Sequence, residues 1–316
     1  MIKEAIITGA TGVIGMALIK KNIENGIRTV VVVNPESSRL DRIPKHDLVD
    51  IKKCSIENYR DLDADELGIN KDKCKDICLY HLAWKGTFGE ARNDSKLQSS
   101  NVEYTLEAVR LASRIGCNCF IGVGSQAEYG RVEGILCDDT PCNPENEYGR
   151  AKLRAGQESR KLCQELGIRH IWARVLSVYG PYDGEATMVT STINKLLDGK
   201  VPELTAGEQM WDYLYSEDAA TALMLLSDKG LDGQVYPLGS GIARPLREYI
   251  EIMRDAINPK QELGFGTIPY SDKQVMYLCA DISGLCKDTG FEVSTSFERG
   301  ISNTIDYLEK IRRQRQ

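Results

Sequence analysis

Apolar positions along the chain fall into two alternating kinds. Short runs at Glu4 to Thr8, Thr29 to Val33, Leu48 to Lys52, Ile77 to Leu82, Cys119 to Val123 and His170 to Val175 have the length and β-branched content of strands. Between them, Met16 to Glu24, Leu97 to Ile115 and Tyr148 to Leu166 repeat apolar residues at helical spacing. Strands with no polar alternation are covered on both faces, which predicts a parallel sheet between helical layers. Residues 1 to about 175 are therefore expected to be a doubly wound α/β unit. After Gly180 the pattern loosens to a helix at Val189 to Leu197, a strand at Trp211 to Tyr215 and a helix at Glu217 to Leu226. Residues 176–316 are expected to form a smaller mixed α/β lobe for substrate, with part of 205–235 returning to the first unit. A ligand would sit where the carboxyl ends of the strands meet that lobe.

Glycines 9, 12 and 15 follow the first strand and open the first helix. Such a turn presents backbone N–H groups, and the positive end of the helix, to a pyrophosphate. The spacing is G-x-x-G-x-x-G, and a tight strand-to-helix turn without a ligand uses glycines in the same way. The second strand ends Val33-Asn34-Pro35-Glu36-Ser37-Ser38-Arg39. Asn34 stands where an acidic residue would hold the ribose 2′-hydroxyl of NAD, and Arg39 with the two serines suits a 2′-phosphate. NADP(H) is thus favoured, with NAD(H) possible and Glu36 arguing for it.

Composition narrows the class. The 316 residues, with 42% apolar and 27% charged positions, suit one large or two intimate globular domains, and 28 glycines with 10 prolines exclude low-complexity architectures. A net charge of −6, with one basic run at Lys310 to Arg315, leaves no nucleic-acid footprint. No apolar run reaches the roughly 18 residues of a membrane span. Ala5 to Ile19 resembles a signal core, but Glu4 precedes it, glycines interrupt it and Lys20-Lys21 follow. The expectation is a cytoplasmic protein whose ten cysteines are reduced. His46, His81 and His170 are scattered, and neither Cys74 with Cys78 nor Cys117 with Cys119 has a second ligand pair, so no metal is expected.

Tyr148 and Lys152 are four apart in a helical stretch and share a face, while Ser125 follows the strand ending at Val123. An ammonium beside a phenol lowers the phenol pKa from about 10, and such a tyrosine exchanges protons with a carbonyl or alcohol. Ser125 would hold the same oxygen. A Tyr and a Lys at this spacing also occur on solvated helix faces; the three residues downstream of a dinucleotide turn point to chemistry.

Over nearly its whole length the chain resembles an extended short-chain dehydrogenase/reductase, of the NAD-dependent epimerase/dehydratase family that modifies nucleotide sugars. The likeness is carried by Thr8-Gly9-Ala10-Thr11-Gly12-Val13-Ile14-Gly15, His81-Leu82-Ala83-Trp84, Asn101, Gly124-Ser125 with Tyr129-Gly130, Tyr148 and Lys152, Arg174 to Pro181, and Asp212 to Tyr215 before Asp218. It implies a Rossmann-type sheet and hydride transfer between nicotinamide and a sugar carbon. Tyr148 would be the acid/base, Lys152 would hold the ribose, and Ser125 would orient the carbonyl. Cofactor contacts are implied for Gly9, Thr11, Gly12, Val13, Ile14, Gly15, Asn34, Arg39, Ser55, Ile56, Leu82, Ala83, Trp84, Asn101, Tyr148, Lys152 and Leu176. A homodimer is implied, paired through the helices at Leu97 to Ile115 and Tyr148 to Leu166.

Departures lie on the substrate side, where contacts are expected from Lys85, Gln126, Ser177, Thr187, Met188 and Trp211. Ser177 replaces a frequent Asn, Trp211 an Arg for the diphosphate, and Pro269 to Lys273 lacks a second Arg; Lys273, Arg244 or Arg247 could substitute. The subgroup most resembled is the NADPH-dependent reductases of 4-keto deoxy nucleotide sugars. The alternatives are an epimerase or dehydratase with tightly bound NAD and a dinucleotide-sensing regulator without turnover.

Overall fold

A computed structural model describes residues 2–70 and 76–315. Cys74 lies outside the described residues. In chain order the elements are β1 (Glu4–Thr8), α1 (Val13–Glu24), β2 (Arg28–Val33), β3 (Val49–Lys53), α2 (Ala64–Leu67), β4 (Ile77–His81), α3 (Ser95–Arg114), β5 (Cys119–Ser125), α4 (Glu147–Leu166), β6 (Arg169–Val175) and β7 (Ser177–Tyr179). There follow α5 (Met188–Leu197), β8 (Glu203–Leu204), β9 (Met210–Tyr215), α6 (Ser216–Lys229), β10 (Gln234–Leu238), β11 (Ala243–Pro245), α7 (Leu246–Ile257), β12 (Gly264–Phe265), α8 (Ser283–Thr289) and α9 (Phe297–Arg315).

Seven strands form one sheet in the order β10-β6-β5-β4-β1-β2-β3, and every neighbouring pair is parallel. The expected Rossmann-type sheet is therefore present. Alternation along each strand builds two cores. Ile7, Val31, Tyr80 and Ile121 join Leu18 of α1 and Leu223 of α6 on one face. Ile6, Val30, Leu79 and Phe120 join Val109 and Leu111 of α3 on the other. The chain runs from β1 outward through β2 and β3, then resumes at β4 on the opposite side of β1. That reversal opens a crevice above the carboxyl ends of β1 and β4, where the glycine turn lies. A third apolar cluster, around Tyr179, Tyr249 and Phe297, sits among α5, α7 and α9 in the lobe.

The segment after residue 205 is interleaved with the sheet. Helix α6 packs on α1, and β10 closes the sheet by pairing with β6 from Gln234↔Ile171 to Leu238↔Val175.

One face of β4, β5 and β6 carries a column of rings. His81, Phe120, His170 and Trp172 follow one another at centroid spacings of 6.1, 5.9 and 6.1 Å. Both histidines are buried. Loss of water pushes His81 down to about 3 and His170 down to about 4. His170 is thus neutral in the fold and charged in the unfolded chain below about pH 6.5, so its contribution to stability is lost as pH falls from there toward 4. Asp183 and Asp212, whose pKa values burial raises, act in the opposite sense, and comparison with a variant separates the two. The stability advantage of the parent over His170→Gln should shrink by roughly 1.4 kcal/mol per pH unit between pH 6.5 and 4.5. Urea midpoints at each pH measure it, and a constant difference would contradict the assignment.

Candidate active site

The glycine turn is shaped by close approach. Gly9 has φ +70°, and a Cβ there would lie 2.5 Å from the Ala83 nitrogen in the segment after β4. A Cβ on Gly15 would lie 2.5 Å from the Ala10 backbone, so α1 is drawn against the turn. Gly12 differs: a side chain there would meet nothing within 4 Å. It is also the N-cap of α1, with no side-chain cap and no acidic residue in the first turn. The first N–H groups of α1, those of Val13 and Ile14, are thus left without a side-chain cap at the positive helix end. An uncapped helix start and a backbone stripped of side chains fit a dinucleotide pyrophosphate.

Beside this turn is a cleft of about 170 Å³. Among the residues expected to bind a dinucleotide, Gly9, Thr11, Asn34, Ile56, Ala83 and Trp84 line it, as does Lys85, expected on the substrate side. Ser37, one of the two serines offered to a 2′-phosphate, lines it too, as do Val32, Cys54 and Tyr59, for which the sequence carries no such signal. Arg39 is exposed and outside the lining. Its N–H is directed to the Ser37 hydroxyl at 3.3 Å. Ser55 caps a short turn beside Ile56. Leu82 bonds back to Thr8. Asn101 holds the loop after β4 through both backbone groups of Lys85, at 2.9 and 3.0 Å. Leu176 is buried in another cluster, its N–H given to Leu238. A larger apolar cavity of about 410 Å³ lies behind α1 beside Tyr182 and Tyr307, away from Ser125 and Tyr148.

The three residues expected to carry chemistry come together above β5 and the start of α4. Asn146 caps α4 by accepting the Gly149 N–H at 2.8 Å, which places Tyr148 and Lys152 on the helix face toward β5. Both are buried. Lys152 Nζ donates to the Val123 carbonyl at 2.7 Å and lies 3.8 Å from the centre of the Trp84 ring. Burial pushes it down to about 7, against the pull of Glu128. Burial also raises the Tyr148 phenol, although its hydrogen bond with Ser125 and the nearby Arg92 charge work the other way. This corrects the expected lowering. The ammonium sits 5.9 Å from the Tyr148 ring centre, engaged with Trp84 and Val123, while desolvation acts on the phenolate directly. Tyr148 is therefore held as a proton donor.

Two neighbours carry roles that no spacing rule assigns. Arg92, from the loop after β4, lies 4.2 Å over the Tyr148 ring. Glu128 is fully buried behind Ser125. It accepts the Ser125 N–H at 2.8 Å, Trp172 Nε1 at 3.1 Å and Arg174 Nε at 2.7 Å, so one carboxylate fixes the turn carrying the Ser125 hydroxyl.

The residues expected on the substrate side are dispersed. Gln126 lines a cavity with Arg92. Lys85 is paired with Glu57. Trp211 Nε1 donates to the Ser177 hydroxyl at 2.9 Å, so these two departures contact each other. Thr187 donates to Asp183 at 2.8 Å ahead of Met188, the first residue of α5.

A Rossmann-type sheet that brings Ser125, Tyr148 and Lys152 beside an open glycine turn defines an NAD(P)-dependent oxidoreductase of the extended short-chain type. The sequence model of the NAD dependent epimerase/dehydratase family matches residues 5–239, and the chain belongs to that family. Among curated relatives, a dTDP-6-deoxy-L-talose 4-dehydrogenase (NAD(+)) from Aggregatibacter actinomycetemcomitans is 26% identical over 262 residues, 78% of this chain and 87% of that protein. A UDP-glucose 4-epimerase from Thermotoga maritima, solved with UDP-glucose, superposes with a TM-score of 0.84 at 23% identity, covering 98% of this chain and 99% of that one. A UDP-glucuronic acid 4-epimerase from Bacillus cereus, solved with NAD, superposes with a TM-score of 0.82 at 19% identity, over 98% and 99% of the two chains. Among the described residues no helix is long and apolar enough to cross a membrane, and no group of His, Cys, Asp or Glu is placed to hold a metal.

Proposed function

We propose that the protein is a nucleotide-sugar 4-epimerase that keeps NAD in the cleft beside the glycine turn. The observation that carries this reading is the convergence of Ser125 and the buried Tyr148, which share a hydrogen bond, with Tyr148 packed against Trp84 of that cleft. The named relatives support a nucleotide sugar as substrate and NAD as dinucleotide.

A bound dinucleotide supplies a hydride acceptor and donor. The chain's own residues then handle the proton. Ser125 and Tyr148 hold the sugar oxygen from two sides; in its phenolate form Tyr148 takes the hydroxyl proton as the carbon is oxidised, and as the phenol it returns that proton on reduction. Lys152, with a pKa near neutrality, is placed to steady the ribose. Trp84 packs against the Lys152 ammonium and Arg92 lies over the Tyr148 ring, which fixes both side chains.

One observation favours a second reading, the NADPH-dependent 4-keto reductase. Strand β2 is followed by Asn34, and Asn34 and Ser37 line the cleft without a carboxylate among its lining residues. The two readings differ in the fate of the dinucleotide. For an epimerase, acid-denatured protein should release close to one equivalent of NAD, and the protein should equilibrate two nucleotide-sugar epimers without net nicotinamide change. Protein purified empty that oxidises NADPH stoichiometrically with a 4-keto nucleotide sugar would replace the epimerase by the reductase.

A further inference from the structure

Beside the catalytic residues, bordered by their chain neighbours Gln126, Ala127 and Asn146, is a cavity of about 310 Å³ that shares no lining residue with the cleft at the glycine turn. Three segments distant in sequence bring cations to it: Arg92 from the loop after β4, Arg131 from the turn after Tyr129, and Lys273 from the C-terminal lobe. Glu145 is the one acidic residue in the lining, in a chain whose net charge is −6. Arg131 is held in place, its Nε by both Glu145 oxygens at 2.8 and 3.0 Å and one terminal nitrogen by the Asp272 carbonyl at 3.2 Å. Arg92 is braced by the Thr87 carbonyl at 3.1 Å and by the Tyr148 ring. Lys273 has no hydrogen-bond or ion-pair partner among the described residues. The other cations offered for the substrate side are not among its lining residues: Arg244 pairs with Glu298 at 3.1 Å, and Arg247 donates to the Ala206 carbonyl and lies 3.9 Å from the Phe265 ring centre.

We propose that this cavity is an anion subsite in which Arg92, Arg131 and Lys273 receive a charged oxygen group of the bound substrate. Placement beside the Tyr148 ring makes it contiguous with the reacting carbon, and that part of the argument rests on the sugar lying against Tyr148. Braced guanidinium groups recognise planar or tetrahedral oxyanions through paired N–H donors, and an unpartnered ammonium adds a point charge. Two groups of a nucleotide sugar have this chemistry, the diphosphate and a carboxylate on the sugar.

The experiment uses dinucleotide-loaded protein, so that the glycine turn is filled. Calorimetric titrations with inorganic pyrophosphate, UDP-glucuronate and UDP-glucose compare the parent with Arg131→Gln/Lys273→Gln and with Lys273→Gln alone. If the diphosphate occupies the subsite, all three probes weaken about tenfold or more in the double variant. If a carboxylate does, UDP-glucuronate alone weakens. The single variant, an exposed side chain without a partner, should show part of the loss with an unchanged melting temperature. Equal binding in parent and variants, or no binding of any probe by the parent, overturns the subsite. Turnover of a nucleotide sugar with affinities untouched by the variants would remove the subsite and leave the epimerase reading standing. Variant-sensitive pyrophosphate or uronate binding in a protein that turns over no nucleotide sugar would do the reverse.

Discussion

Replacing Tyr148 by Phe should lower turnover by on the order of 10²–10⁴ while leaving dinucleotide affinity and the melting temperature close to the parent values. The side chain is buried against Trp84 and Arg92, and Phe preserves those ring contacts. What is lost is the one hydroxyl that shares a hydrogen bond with Ser125. The effect should fall on kcat rather than on KM, because the missing proton transfer belongs to the transition state. Steady-state kinetics with calorimetric titration of NAD test this, and a variant with parental kcat would remove Tyr148 from the chemistry.

The second large effect is on stability. Glu128→Ala should cost about 3–5 kcal/mol, the penalty for leaving one member of a buried ion pair without its partner. Arg174 is nearly as enclosed as Glu128, and its charge would be left beside the Tyr129 ring with no carboxylate. The Ser125 N–H and the Trp172 ring nitrogen would lose their acceptor as well. Since domains of this kind are typically stable by about 5–15 kcal/mol, roughly a fifth or more of the total would go. Glu128→Gln, which keeps an acceptor for Ser125 and Trp172 but not the charge, should fall between. Urea midpoints at constant slope measure both, and an alanine variant within 1 kcal/mol of the parent would show that the pair can be dispensed with.

The sheet was legible because its strands are uniform. Ile77 to Tyr80 and Cys119 to Gly122 are buried throughout, so nothing charged interrupts them. Strand β10 was not individually legible: Gln234-Val235-Tyr236-Pro237-Leu238 lies at a sheet edge, where a proline is tolerated, and its partner β6 is some sixty residues earlier. The catalytic trio was legible because Tyr148 and Lys152 share one helix turn and Ser125 ends a strand. Arg92 carries no such signal. It reaches Tyr148 from a loop, and only the fold brings together residues 56 apart in sequence. Glu128 was visible within Gly124 to Gly130 without a role, because its partners Trp172 and Arg174 arrive on the neighbouring strand. The direction of the Tyr148 pKa was misread for a related reason: spacing shows that an ammonium is near, not that it is directed to a carbonyl and another ring.

The late return of α6 and β10 bears on how the chain is made. On a ribosome, residues 4–175 emerge well before α6 and β10, so the nascent sheet carries β6 as a bare edge and α1 with one flank uncovered. An apolar parallel edge with unpaired backbone groups recruits other strands. That exposure lasts through about sixty further residues of synthesis, on the order of seconds at roughly 5–20 residues per second. A chain released after residue 175 should therefore aggregate rather than persist as a small dinucleotide-binding unit, whereas one released after Leu238 retains the whole seven-stranded sheet.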